Sequence, residues 1–212
     1  MGILKKVEQE ARKIHSSSKS SHDWDHTERV YKLAVRIAKK EKAHADIVKM
    51  AALLHDIARA KEDGSGGKID HAVEGAKMAA GILKRLGVSG RKTAEVCHCI
   101  ETHRFRGKLK PLSMEAKALF DADKLDSIGA VGIGRAFLFA GEVGAKLHNS
   151  GADISRTQPY TREDTAYREY MVKLRYVKER MTTKEGARLA GERHDFMGNF
   201  FMRLDREVKG DL

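Results

Sequence analysis

Cysteine and proline are each present only twice in 212 residues, and no apolar run is long enough to span a bilayer. Cys97 and Cys99 are too few for a disulfide framework, and a one-residue spacing is awkward for an intrachain bridge, so a reducing cytoplasm is expected. With no second cysteine pair, small buried thiols are a simpler reading than a soft metal site. Scarce proline leaves helices unbroken and provides no Pro-rich linker. Aromatic residues are only 6% of the chain, and Trp24, Tyr160, Tyr167 and Tyr170 read as packing groups before base-stacking ones. Met1 to Ser21 is charged throughout with no apolar block of signal-peptide length, so a soluble protein without a membrane partner is expected. Strand-like alternation and internal repeats are also missing.

Helical periodicity and positive charge are what the sequence does have. Lys and Arg number 41 against 30 Asp and Glu, a net charge of +11 that favours anionic partners: nucleotides, phosphate esters or, less favoured, nucleic acid. Val7, Ala11 and Ile14 predict a short helix over Ile3–His15, expected to be mobile or lightly docked, with a polar loop at Ser16–Ser21. Helices are predicted over Trp24–Lys40, His44–Ala60 (the most buried) and Ile69–Leu86, closed by Gly87, and from a Ser89 cap to about His103. A basic loop follows at 104–111. The helix from Ser113 is expected to run into a glycine-rich stretch whose small residues suggest close helix contacts. His148–Tyr160 reads as a long excursion, Tyr167–Met181 as a helix, and Thr182 with Glu185 as a capping box for the last one. Leu189, Phe196, Met197, Phe200 and Leu204 would form that last helix's apolar face. The expectation is one all-α domain over residues 1–212, with a core at about 22–130 and C-terminal helices at about 131–208 packed onto it.

The chemistry centres on His55-Asp56, an imidazole and a carboxylate at the end of the apolar run Met50–Leu54. A carboxylate in apolar surroundings needs a partner or a shifted pKa, and a metal ion is one such partner. Alone, the doublet favours a helix that has simply reached water. His22, His26, His55, His71 and His103 all fall near predicted helix ends, and Asp121, Asp123 and Asp126 interrupt an otherwise apolar helix. Mixed imidazole and carboxylate donors suit manganese, iron, cobalt, nickel or zinc better than calcium, and leave positions for water and substrate.

The ordered set His26, His55-Asp56 and Asp123 resembles the HD-domain metal-dependent phosphohydrolase superfamily. The stretches Ser21–Val30, Leu53–Ile57, Asp121–Ala130 and Ala190–Phe201 resemble one bacterial and archaeal branch of uncharacterised or nucleotide-cleaving members. The resemblance implies an all-α HD-domain fold and a divalent metal held by His26, His55, Asp56 and Asp123. One ion is favoured, with two left open and magnesium also admitted. It implies a metal-activated water attacking phosphorus, with Asp56 also orienting that water. His71 and His103 fall where dinuclear members carry second-metal ligands; they are read here as pocket-lining groups and as substitutes for a general acid. Arg59 stands where several members have the acidic residue proposed for that role. Lys124, Arg104, Arg106 and His22 are the candidate substrate-side residues, Lys124 foremost.

These features lead to a cytoplasmic metal-dependent phosphohydrolase acting on a nucleotide or similar small phosphate compound, with nucleoside triphosphate pyrophosphohydrolase as the specific activity favoured. The alternative is a nucleotide or nucleic-acid binding protein with a structural or vestigial metal site. A third reading is oxygen-dependent oxidation at two irons.

Overall fold

The computed structural model describes residues 2–15, 24–104 and 109–212, and among these every regular element is helical. The order is α1 (Ile3–His15), α2 (Trp24–Lys40), α3 (Ala45–Leu54), α4 (Arg59–Gly64), α5 (His71–Arg85), α6 (Gly90–Thr102), α7 (Met114–Leu125), α8 (Gly129–Glu142), α9 (Ala166–Val172) and α10 (Lys184–Lys209). The fold is thus all-α, as the periodicity predicts. Among the described residues no helix is long and apolar enough to cross a membrane. The chain forms two compact units, one of Met1–Asp123 with Thr182–Gly186, the other of Lys124–Met181 with Ala187–Leu212.

In the first unit α3 is the hub, contacted by α1, α2 and α6, while α5 pairs with α6. Its sequence explains why: Ile47, Val48 and Met50 to Leu54 are all buried, so the helix is apolar nearly all round. The N-terminal arm is not lightly docked. Val7 and Ala11 of α1 are fully buried, and Arg12 lies 4.1 Å over the Trp24 ring and pairs with Glu28. An amphipathic stripe that faces a helix as apolar as α3 loses too much by staying in water.

Other boundaries differ from the sequence reading where side chains compete for the backbone. The helix predicted over His44–Ala60 stops at Leu54; His55 to Ala58 form a turn, and α4 begins at Arg59. Within that turn the His55 Nδ1–H donates to Ala52 O at 2.8 Å, and bonds shorten to the tighter pattern Arg59 N–H to Asp56 O. The helix predicted over Tyr167–Met181 ends at Val172 and continues as two short 3₁₀ turns. The last helix is capped by Thr183, whose Oγ accepts from Gly186 N–H at 3.0 Å, and not by a Thr182–Glu185 box. Thr182 instead donates its N–H and hydroxyl to Asp121, and Glu185 pairs with Arg36 of α2 at 3.1 Å.

That segment is a staple. Asp121, fully buried on α7, accepts from the N–H and the hydroxyl of both Thr182 and Thr183. Burial pushes its carboxyl above the usual range while these four donors pull the other way. Gly186 is required beside it, because a Cβ there would lie 2.2 Å from Asp121 Oδ2.

In the second unit the core is aromatic. Phe201 is fully buried and stacks on Tyr170 at 4.5 Å, with Phe137, Tyr167 and Phe200 around it. The buried seam of α10 therefore runs through Leu189, Ala190, Met197 and Phe201, whereas Phe196, assigned to that face from sequence, is 55% exposed. Arg193 donates to Leu125 O and Arg135 pairs with Asp126 at 2.8 Å. Only some of the α8 glycines mediate close contacts. A Cβ on Gly132 would meet Ser127 O at 2.2 Å, while one on Gly134 would meet nothing. Gly132→Ala is expected to destabilise the protein and Gly134→Ala, at an exposed helix-interior site, to stabilise it by about 0.5–1 kcal/mol. Urea unfolding of both variants checks the pair. Asp121→Ala, which strands the buried Thr183 N–H and removes the partner of the part-buried Thr182 N–H, is expected to cost about 1–3 kcal/mol in the same measurement.

Candidate metal centre

Six of the predicted side chains come together in the first unit, each placed by the end of a helix. His26 stands in the first turn of α2, and His55 and Asp56 occupy the turn after α3. His71 opens α5, whose N-cap Asp70 accepts from Ala72 N–H, and His103 caps the C-terminus of α6. Asp123 projects from α7. All except Asp123 are at most 3% exposed. Close approach is helped by Gly75 of α5, where a Cβ would sit 3.4 Å from His55 O.

The tautomers follow from the acceptors. His55 Nδ1 lies 2.8 Å from Ala52 O, His103 Nδ1 lies 2.6 Å from Ile100 O, and His71 Nδ1 lies 2.8 Å from Glu62 Oε2. Carbonyl and carboxylate oxygens only accept, so the protons are assigned to Nδ1 and each Nε2 presents a lone pair. Burial pushes His55 and His71 down to about 3, against the pull of Asp56, so both are neutral near pH 7.

These nitrogens face one another. His71 Nε2 and His103 Nε2 are 3.2 Å apart, and His55 Nε2 is 3.3 Å from His26 Nε2. Imidazole–metal bonds of about 2.0–2.1 Å put neighbouring donors on one ion roughly 3.0–3.4 Å apart, so the spacing fits a shared cation. The carboxylates complete the sets. Asp123 Oδ1 is 3.4 Å from His26 Nε2, and Asp56 Oδ2 is 3.7 Å from both His26 and His55 Nε2. Asp56 Oδ1 is 3.5 Å from both His71 and His103 Nε2. Two donor groups therefore share the Asp56 carboxylate: His26, His55 and Asp123 on one side, His71 and His103 on the other.

Behind the second group lies a network that sequence reasoning missed. Glu62, 6% exposed, accepts from His71 Nδ1–H and from Arg59 at 2.5 Å, both through Oε2, and its Oε1 forms an ion pair with Arg104 at 3.0 Å. Arg104 also pairs with Asp70 at 2.8 Å, which ties the residue after His103 to the residue before His71. Arg104 was read as a substrate-side cation; its guanidinium here lies between two carboxylates. Glu62 escaped notice because Arg59-Ala60-Lys61-Glu62-Asp63 reads as an ordinary solvated stretch, and only the fold folds it back on His71. Lys124 follows Asp123 on α7, is 8% exposed and belongs to the second unit. His22 and Arg106 lie outside the described residues. Cys97 and Cys99 are free thiols, Cys97 donating to Ala76 O and Cys99 pushed up to about 12 by burial, which suits packing and not metal binding.

The chain is also similar to known proteins. The HD domain family model matches residues 23–128. The YpgQ protein of Bacillus subtilis is 39% identical over 201 residues, covering 93% of this chain and 89% of YpgQ. The crystal structure of YpgQ in complex with ADP aligns with a TM-score of 0.76 at 32% identity, over 98% of each chain. An HD-superfamily hydrolase of Bacillus thuringiensis aligns with a TM-score of 0.77 at 28% identity, over 97% of this chain and 96% of its own. With buried histidines and carboxylates converging inside the matched region, and a full-length relative at this identity, the chain belongs to the HD domain family.

Proposed function

We propose that this protein is a cytoplasmic, metal-dependent phosphohydrolase acting on a nucleotide or related small phosphate compound, with release of pyrophosphate from nucleoside triphosphates as the favoured activity. The observation that carries this reading is the convergence of four buried imidazole Nε2 atoms on the Asp56 carboxylate. The hydrolase name of the Bacillus thuringiensis relative and the ADP bound by YpgQ support it.

His26, His55, Asp56 and Asp123 would hold the ion, for which manganese or another transition metal suits the mixed donors. When bound, a divalent cation supplies Lewis-acid polarisation of a phosphoryl oxygen and lowers the pKa of water. Asp56, with one oxygen on each histidine pair, orients the attacking water. His71 and His103, their Nδ1 atoms held by Glu62 and Ile100 O, turn their Nε2 atoms inward, where they can take up a proton during turnover. Lys124, Arg106 and His22 are assigned to the substrate side, and Arg104 acts there by ordering Glu62 and Asp70. One observation favours a second reading, in which Asp56 bridges two ions: its Oδ1 faces His71 and His103 at the same 3.5 Å.

In a mixed nucleotide panel with several divalent metals, phosphate or pyrophosphate release is expected to be metal-dependent. Asp56→Ala and His55→Ala should each lose about 10²-fold or more, since even groups that only orient ligands are worth 10–100-fold. Full turnover in either variant would sink the catalytic proposal. Metal analysis of the purified protein and of His71→Ala separates the two readings: one ion in both supports a single site, whereas a drop from two to one supports the bridged pair.

The metal-free protein should also be acid-sensitive in a defined window. His55 and His71 titrate at about 3 when folded against 6.5 as free groups, so below pH 6.5 the unfolded chain binds protons the fold excludes. Their contribution to stability is complete above pH 6.5 and declines as the pH falls from there towards 3. Thermal melts of the metal-free protein across that range, with His71→Gln reducing the slope, check the sign.

A further inference from the structure

Arg59 carries a hydrogen-bonding capacity that the protein does not use. Its Nη1 is held 2.5 Å from Glu62 Oε2. Its Nε lies 3.8 Å from Asp56 Oδ2, beyond hydrogen-bond range, and this buried N–H finds no acceptor among the described residues. Glu62 cannot turn away to accommodate it, being fixed in addition by His71 Nδ1–H and Arg104. The guanidinium is therefore clamped at Nη1 while its buried, unpartnered Nε–H lies 3.8 Å from the carboxylate shared by the two histidine pairs. Burial works against its charge, yet Asp56 and Glu62 more than offset this and keep it protonated.

We propose that Arg59 is the residue that receives the leaving phosphate of the substrate, that Glu62 is its positioning residue, and that the site is thereby built for phosphoric anhydrides and not for phosphomonoesters. The inference rests on the phosphohydrolase reading and adds the residue that receives the leaving group. A guanidinium fork matches two phosphate oxygens and satisfies the free Nε–H. It does not surrender a proton near neutral pH, so it stabilises a departing group by charge alone. In hydrolysis of an anhydride the water oxygen bonds to phosphorus and the bridging P–O bond breaks, its electron pair staying on the leaving phosphate. One water proton remains on the products and the other is released to solvent. Phosphate groups have a pKa near 6 and leave without protonation. A nucleoside alkoxide is far more basic and needs a proton donor, which Arg59 cannot be.

The test uses full-length, manganese-loaded protein with Arg59→Gln, Arg59→Lys and Glu62→Gln. For each, kcat/KM is measured on a nucleoside triphosphate and on a nucleoside monophosphate, and the affinity for inorganic pyrophosphate is measured by calorimetry. Arg59→Gln is expected to lose about 10²-fold in kcat/KM on the triphosphate, the size seen when one charge-stabilising donor is removed. Pyrophosphate affinity should fall in parallel, and free guanidinium should restore part of both with manganese content unchanged. Arg59→Lys should lie between, keeping charge without the fork. Glu62→Gln should weaken pyrophosphate binding without guanidinium rescue. Pyrophosphate affinity within twofold of the parent in Arg59→Gln, or a monophosphate turned over as fast as the triphosphate, overturns the inference. If Arg59→Gln does not fold, a lysine variant that binds pyrophosphate as tightly as the parent overturns it equally. Should no nucleotide be hydrolysed by the parent, the phosphohydrolase reading fails, while pyrophosphate affinity still decides the role of Arg59.

Discussion

Imidazole nitrogens that face each other in a dry interior dominate the first unit. Four buried Nε2 atoms meet in pairs 3.2–3.3 Å apart around one carboxylate. Three of the rings are pinned from behind: His55 and His103 to carbonyls of their own preceding helical turns, His71 to Glu62. The helix termini that present them are in turn set by the packing of α3 against α1, α2 and α6. A rigid apolar frame thus keeps polar atoms in a geometry that fits a shared cation. Preorganisation of this kind moves the cost of ordering the donors from metal binding to folding.

Carboxylates set the charge of this frame and the arginines balance it. Asp56 lies at the centre, one oxygen towards each histidine pair. Glu62 stands behind, collecting Arg59, Arg104 and His71. By accepting the Nδ1–H of His71 it fixes that ring, as a metal-binding protein fixes its ligands through outer carboxylates. Arg104, adjacent in sequence to His103, and Asp70, adjacent to His71, close the network across two helices.

Much of this could be read from residues alone. The helix starts at Ile3, Trp24 and Ser89 and the stop at Gly87 follow from periodicity and cap chemistry, and the observed elements agree at these places. His26, His55, Asp56, Asp123, His71 and His103 stood out as imidazoles and carboxylates near predicted helix ends or on an apolar helix, but it was the resemblance to the HD-domain superfamily that assigned metal ligation to the first four. What escaped reading had a common cause. The break after Leu54, the role of Thr183 in place of Thr182, and the partners of Glu62 all depend on side chains brought from elsewhere in the chain, which periodicity does not register. The same holds for Phe196, whose heptad position looked apolar but whose neighbours leave it in solvent, while Phe201 took the core position.

The threonine staple on Asp121 also has a topological meaning. Residues 124–181 leave from beside Asp121 on α7 and return to it at Thr182, so they form a loop closed by four hydrogen bonds to one carboxylate. Closing roughly 60 residues costs about 3–4 kcal/mol of chain entropy, and hydrogen bonds to a charged acceptor, at about 1.5–3 kcal/mol each, are of the size needed to offset it. Both ends of the excursion are anchored within two residues of Asp123. The knot that closes this long excursion thus sits two residues from Asp123, so the hydrogen bonds that end the loop also steady the turn of α7 that delivers that carboxylate.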